Sequence, residues 1–210
     1  MARRRAKTDS QTRRRLLDAA EHLMAEEGYA AVTSRRVGAT AGITSQLVHY
    51  YFETMDELFV EVLRRRADAG LDQLQQALNS GTTTLRRLWE LRSSHRDAVI
   101  DIEFVALANH RKSIRDAIGR YAARHRALEL ALTERAMASA AISPQDYPPS
   151  VVLQALVGMS QIMVIEASLG IAAGHDDTQR FVQALLDRLE RHRDRPGPRP
   201  ANSETPSPTR

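Results

Sequence analysis

The 210-residue chain contains no cysteine, which excludes disulfide cross-links, thiolate metal sites and cysteine nucleophiles. Aromatic residues make up only 5%, and the apolar 42% leans on alanine and leucine, a mixture that suits helices better than sheets. Lysine is almost missing: Lys7 and Lys112 are the only two, and arginine carries the rest of the positive charge. The arginine fork favours bidentate phosphate contacts, but a GC-rich genome produces the same bias and is the weightier explanation. The arginines near the N-terminus are followed by no apolar stretch, so a signal peptide is not expected. A glycine-rich phosphate loop, a Gly-x-Ser-x-Gly elbow and a His-Glu-x-x-His pair are all absent, which argues against an enzyme. His125 and Glu129 stand at metal-like spacing, yet Arg124 and Arg126 beside them point to a solvated face, so no metal site and no cofactor are expected.

The positive charge that is present is unevenly placed. Residues 1–15 carry Arg3, Arg4, Arg5, Lys7, Arg13, Arg14 and Arg15 against the single acid Asp9, a balance of +6, whereas residues 67–190 carry 13 bases and 15 acids. A local excess of this kind favours a polyanion through counterion release. Close by in sequence, Thr33 can cap a helix running to about Thr40, Gly42 can end it in the left-handed conformation, and Thr44 can cap a second, short helix. Val37 and Ala41 can face Val48 and the aliphatic part of Leu47, which leaves Ser45, Gln46, His49 and Tyr50 on the outer side of a segment without a carboxylate. Two helices around a tight turn with such a face suit the major groove of DNA. Thr54 and Glu57 form a capping box, with Glu57 able to reach the Thr54 amide, and open a long helix to about Asn79.

These residues resemble the tetracycline-repressor (TetR/AcrR) family of bacterial transcription regulators. The resemblance covers about Gln11 to Val62 and rests on Leu16, Leu17, Ala20, Glu26-Glu27-Gly28-Tyr29, Thr33-x-Arg35-x-Val37, Ala41-Gly42-Ile43-Thr44, Tyr51-Phe52 and Glu57-Leu58. It implies that Ser45, Gln46 and Tyr50 read base edges, with Arg35 of the preceding helix. It further implies phosphate contacts from Thr33, Thr44, His49 and Tyr51, joined by Arg3, Arg4 and Arg5 through their charge. Two positions depart from the family pattern: His49 stands where tyrosine is usual and Met55 where lysine is usual.

Downstream the helical period continues, with breaks at Asn79-Ser80-Gly81-Thr82 and at Ser143 to Pro149. Ser93 or Ser94 and then Ser113 are expected to open two of the helices between. Val151 to Ala173 has no basic side chain, and its length invites a membrane span. Glu166 near a bilayer centre would cost on the order of 2.5–3.5 kcal/mol, so burial within protein is preferred. Ala155, Gly158, Ile162, Ile165 and Leu169, with Phe181, Leu185 and Leu189 on the last helix, are read as the interface of a C2 homodimer, because a short reading helix needs a second half-site. Polar and wall residues of the middle helices (Trp89, His95, Asp101, Glu103, Phe104, Asn109, His110, Met159, Gln161 and Met163) are candidates for an effector pocket, and few charges near these walls suggest an apolar or amphiphilic ligand.

The expected architecture is all-α: an N-terminal three-helix helix-turn-helix head plus a larger C-terminal helical ligand-binding and dimerisation domain. Residues 1–9 would be a basic flexible arm, 10–55 the DNA-binding domain, 56–194 the effector-binding and dimerisation domain, and 195–210 a disordered proline-rich tail. The expected function is a sequence-specific transcriptional regulator, a repressor released from a pseudopalindromic DNA operator by a small-molecule effector. It would act in the bacterial cytoplasm at the nucleoid, away from any membrane. A non-sequence-specific architectural DNA binder is the main alternative, with a helical small-molecule-binding protein or an enzyme behind it.

Overall fold

A computed structural model describes residues 2–80, 84–92 and 95–190, with side chains over 9–80, 84–90 and 99–189. Among the described residues there are nine α-helices and no strand. The first three, α1 (Ala2–Glu27), α2 (Ser34–Ala41) and α3 (Ser45–Tyr51), with a 3₁₀ turn at Tyr29–Ala31, form the head. The body contains α4 (Met55–Asn79), α5 (Leu85–Arg92), α6 (His95–Ala108), α7 (Lys112–Ser139), α8 (Pro149–Ser168) and α9 (His175–Glu190). The fold class and the head-plus-body layout are as the sequence predicts. The segment expected as an arm at 1–9 is helical from Ala2 onward, continuous with α1, while the tail expected at 195–210 lies outside the described residues.

Local chemistry sets the joints of the head. Thr33 Oγ1 accepts the Arg36 amide at 3.3 Å and starts α2. Gly42 ends it at φ 65°, and the Ile43 amide closes back on the Gly38 carbonyl at 2.8 Å. That closure depends on a second glycine, since a Cβ on Gly38 would stand 2.8 Å from the Ile43 carbonyl oxygen. Thr44 starts α3 without a side-chain cap, because the first amides of this short helix close on its backbone carbonyl instead. The box at Thr54 forms with one change: Thr54 Oγ1 accepts the Glu57 amide at 3.1 Å, but the Glu57 carboxylate takes the Glu53 amide at 2.9 Å rather than that of Thr54.

The body is built on two long helices lying side by side. Asp56 at the start of α4 accepts bonds from Arg111 and from Ser113 Oγ (2.5 Å), and at the far end Arg135 Nη1 donates to the Leu78 carbonyl at 2.6 Å. Paired residues differ by 55 to 57 in number at both ends, so α4 and α7 run parallel. Engaged by Asp56, the Ser113 hydroxyl does not cap α7, which begins one residue earlier at Lys112. The expected caps at Ser93 and Ser94 lie outside the described residues. α8 stops at Ser168, short of the expected Ala173, because Gly170 turns left-handed at φ 75°.

Two apolar clusters result. The first joins Leu16, Leu23, Val37, Val48, Phe52 and Leu58 of the head and neck to Ile100, Phe104, Leu107 and Ile114 of α6 and α7. The second holds Leu74, Leu85, Trp89, Leu132, Met137, Leu156, Val182 and Leu186 in the body. Each fully buried large side chain contributes about 1.5–3 kcal/mol to folding. The first cluster therefore binds the head firmly to the helices beneath it.

Candidate functional site

The outer side of α3 carries the residues that the sequence singles out. Ser45, Gln46 and His49 are exposed, Tyr50 is 73% exposed, and Val48 beneath them is fully buried. Arg35 and Thr33 are exposed at the start of α2, and Thr44 is exposed with its hydroxyl outside any cap. Leu47 is 39% exposed, so it lies largely outside the seam expected for it. The Tyr50 and Tyr51 rings meet edge to face with centroids 5.2 Å apart. Tyr51 is half-buried, and its hydroxyl donates to Asp9 Oδ1 at 2.6 Å, a bond that holds its pKa above the ordinary phenol value. The neighbour Arg36 is engaged elsewhere, gripping Glu27 with bonds of 2.8 and 2.5 Å. This pairing also lowers the Glu27 pKa.

The basic cluster at 1–15 divides. Arg13 stacks over the Phe52 ring at 5.2 Å and pairs with Glu61 at 2.7 Å, and Arg15 donates to the Ala41 carbonyl. Both brace the head, so the +6 balance overstates the charge free to meet a polyanion; Arg14 is exposed. The side chains of Arg3, Arg4 and Arg5 lie outside the described residues.

A cavity of about 580 Å³ opens among α4 to α8. Of the pocket candidates, Trp89, Asp101, Phe104 and Gln161 line it. Glu103 does not: it faces the head and accepts the Tyr29 amide at 2.7 Å, beside Gly28. Asn109 and His110 are exposed at the end of α6, and Met159 and Met163 pack against the second apolar cluster. His95 falls on α6 with its side chain outside the described residues. The walls are more charged than the sequence suggests, because α4 and α7 turn polar side chains inward. Arg66 pairs with Glu21 at 2.9 Å and Asp101 at 3.5 Å, while Arg65 pairs with Asp18 at 2.5 Å and also with Glu21. His125 and Glu129, expected on a solvated face, also line the cavity, and Glu129 is only 3% exposed. Their i, i+4 spacing and the apolar stripe of Ile118 and Leu132 along α7 were the available signal.

The face read as a dimer interface is open in the single chain. Ala155, Gly158, Ile162 and Ile165 of α8, Leu169 just past its end and Phe181 of α9 are exposed, Phe181 by 61%. Leu185 is half-buried, and Leu189 packs against the body cluster instead. α8 is also long and apolar enough to cross a membrane by length and composition. Here it packs on α5, α6 and α7, and Glu166 near its end pairs with His175 of α9 at 2.9 Å.

Residues 16–62 match the family model of bacterial regulatory proteins, tetR family. The head thus resembles that of the tetR family over these residues. A helix-turn-helix transcriptional regulator, BetI of Rhizobium meliloti, is 29% identical to it over 76 residues. The transcriptional repressor KstR2 of Mycolicibacterium smegmatis is 31% identical over 84. These matches cover 36% and 40% of the chain, which spans 37% and 41% of the length of the two relatives. Among solved structures, a transcriptional regulator from Saccharomonospora viridis in complex with choline superposes with a TM-score of 0.71 at 19% identity, covering 85% of this chain and 96% of its own. A TetR regulator from Haloarcula marismortui gives 0.65 at 18%, covering 88% and 97%. The likeness of fold thus extends through the body.

Proposed function

We propose that the protein is a DNA-binding transcriptional regulator, a repressor released from a pseudopalindromic operator by a small molecule. The observation that carries this reading is the α3 surface: a buried Val48 anchors a short helix whose exposed side offers hydroxyl, amide, imidazole and phenol groups and no carboxylate. Ser45, Gln46, Tyr50 and Arg35 meet base edges, while Thr33, Thr44, His49, Tyr51 and the terminal arginines hold phosphates. The head comprises residues 10–55 and the effector and dimer domain residues 56–194. The repressor name of one relative and the choline complex of one structural neighbour support ligand-released repression without fixing the ligand.

Two chains would pair through the open apolar face of α8 and α9, setting the spacing of the two α3 helices. Such a regulator needs no cofactor and no catalytic residue, and it works in the cytoplasm. Gel retardation with genomic fragments tests the reading. One pseudopalindrome should be preferred over random duplex by about 10³–10⁷-fold. Equal retention of all duplexes would instead mark an architectural binder. Sedimentation at micromolar concentration should show a dimer, and a single monomeric species would exclude the pairing.

A further inference from the structure

The reading face of α3 is not wholly polar, and we infer that Leu47, backed by Ile43 and Ala39, is a specificity-determining residue that seats the 5-methyl group of a thymine in each half-site. The inference rests on the DNA-reading role proposed for α3 and adds to it a contact of different chemistry.

An α-helix turns by about 100° per residue, so with Val48 fully buried, Gln46 and Tyr50 point away from the core and Leu47 stands on the flank beside Tyr50. Leu47 keeps 39% of its surface exposed. It borders a shallow, open depression whose other apolar walls are Ala39, in the last turn of α2, and Ile43, in the turn between the helices. Ala39 is exposed, while Ile43 is half-buried and packs against the core of the head. Apolar surface thus runs outward from the core to the leucine. At the edge stand Arg15, whose guanidinium donates to the Ala41 carbonyl, and Thr44, whose hydroxyl lies outside any cap. Among the described residues no carboxylate lines the depression.

A lone exposed leucine says little about function, because apolar atoms are common on protein surfaces. Leu47 differs by its position, since it lies within the surface that duplex DNA would cover, continuous with Gln46 and Tyr50. On docking its exposed part loses water, and neither a phosphate nor a polar base edge offers it an apolar partner. In the major groove the thymine methyl is the apolar group that a base pair displays. A deoxyribose ring is the rival partner, but it carries no sequence and does not answer to a change in the base.

Full-length protein is tested by gel retardation on the genomic fragment it retains best, amplified once with dTTP and once with dUTP. The second form lacks the methyl group and keeps its pairing. The thymine form should bind more tightly by about fourfold for each methyl seated, the factor that burial of one such group gives. Single thymine-to-uracil exchanges should place that loss at one position in each half-site. Leu47→Ala should bring the two forms within about twofold of each other. Should Leu47→Ala not fold, Leu47→Gln, which keeps the aliphatic stem, makes the same test. A preference for thymine that survives in a folded Leu47 variant overturns the inference. So does one that disappears in Tyr50→Ala but not in Leu47→Ala, which moves the contact to the phenol ring. A protein that prefers no fragment over random duplex sinks the reading of α3 and this contact together. A preferred pseudopalindrome bound equally with thymine or uracil sinks the contact alone and leaves DNA reading in place.

Discussion

In the head, α2 and α3 bury Val37, Ala41 and Val48 and turn Ser45, Gln46, His49 and Tyr50 outward; in the body, Glu129, Thr133 and Ser160 are buried while Val151, Ile162, Leu169 and Phe181 face out. A helix that meets its target on the protein surface must keep its polar groups in solvent until the target arrives. Helices that enclose a cavity present theirs to the interior, and in the proposed dimer their outer apolar face would meet a second chain. Head and body therefore use the same element for opposite purposes, and a variant can be aimed at either.

The largest expected effect is on the head's backbone. Gly38→Ala forces a Cβ against the Ile43 carbonyl, which cannot swing aside as a side-chain end would. It should cost about 3 kcal/mol of stability and abolish DNA retention, seen as a lowered melting temperature and a lost gel shift. Gln46→Ala or Tyr50→Ala, by contrast, should relax base preference by about 1–3 kcal/mol per lost contact with the melting temperature unchanged. If either unfolds the head, the separation of buried seam and reading face is wrong. Glu103→Ala probes the bond between the two regions. It leaves the Tyr29 amide without its carboxylate and should lower stability by about 1 kcal/mol in chemical denaturation.

The smallest effect is a pH signature at the neck. Hydrogen bonds from Arg64 and then Arg13, against the desolvation that opposes them, hold the Glu61 carboxyl at about 2, below its ordinary 4.5. With the folded value depressed, its stabilisation is complete above pH 4.5 and is lost as pH falls toward 2. Glu61→Gln should flatten the acid limb of a stability–pH curve over that window. An unchanged curve would show that these half-exposed arginines contribute nothing.

The head was readable because its joints depend on neighbours in sequence. Thr33, Gly42 and Thr54 each act on amides or torsions within a few residues, and all three perform as expected in kind. The failures there are substitutions of one nearby partner for another, such as Glu57 choosing the Glu53 amide. The body resisted because its polar side chains are matched across distances that periodicity does not encode. Glu103 finds Tyr29 across 74 residues, and Ser113 finds Asp56 across 57. Likewise, nothing local told that the His125–Glu129 side of α7 would look inward past Gly70. The apolar character of α8 was legible in composition, but not which of its residues would stay exposed, since that depends on how α5, α6 and α7 pack against it.

The Tyr51 hydroxyl already serves an anion, the Asp9 carboxylate. If Tyr51 is to grip a phosphate, docking on duplex is a trade of one oxyanion for another, with Asp9 acting as a resident placeholder that must be evicted. Weak sites would then fail to repay the eviction, so a single acid in an otherwise basic segment sharpens the threshold between loose encounter and lasting capture.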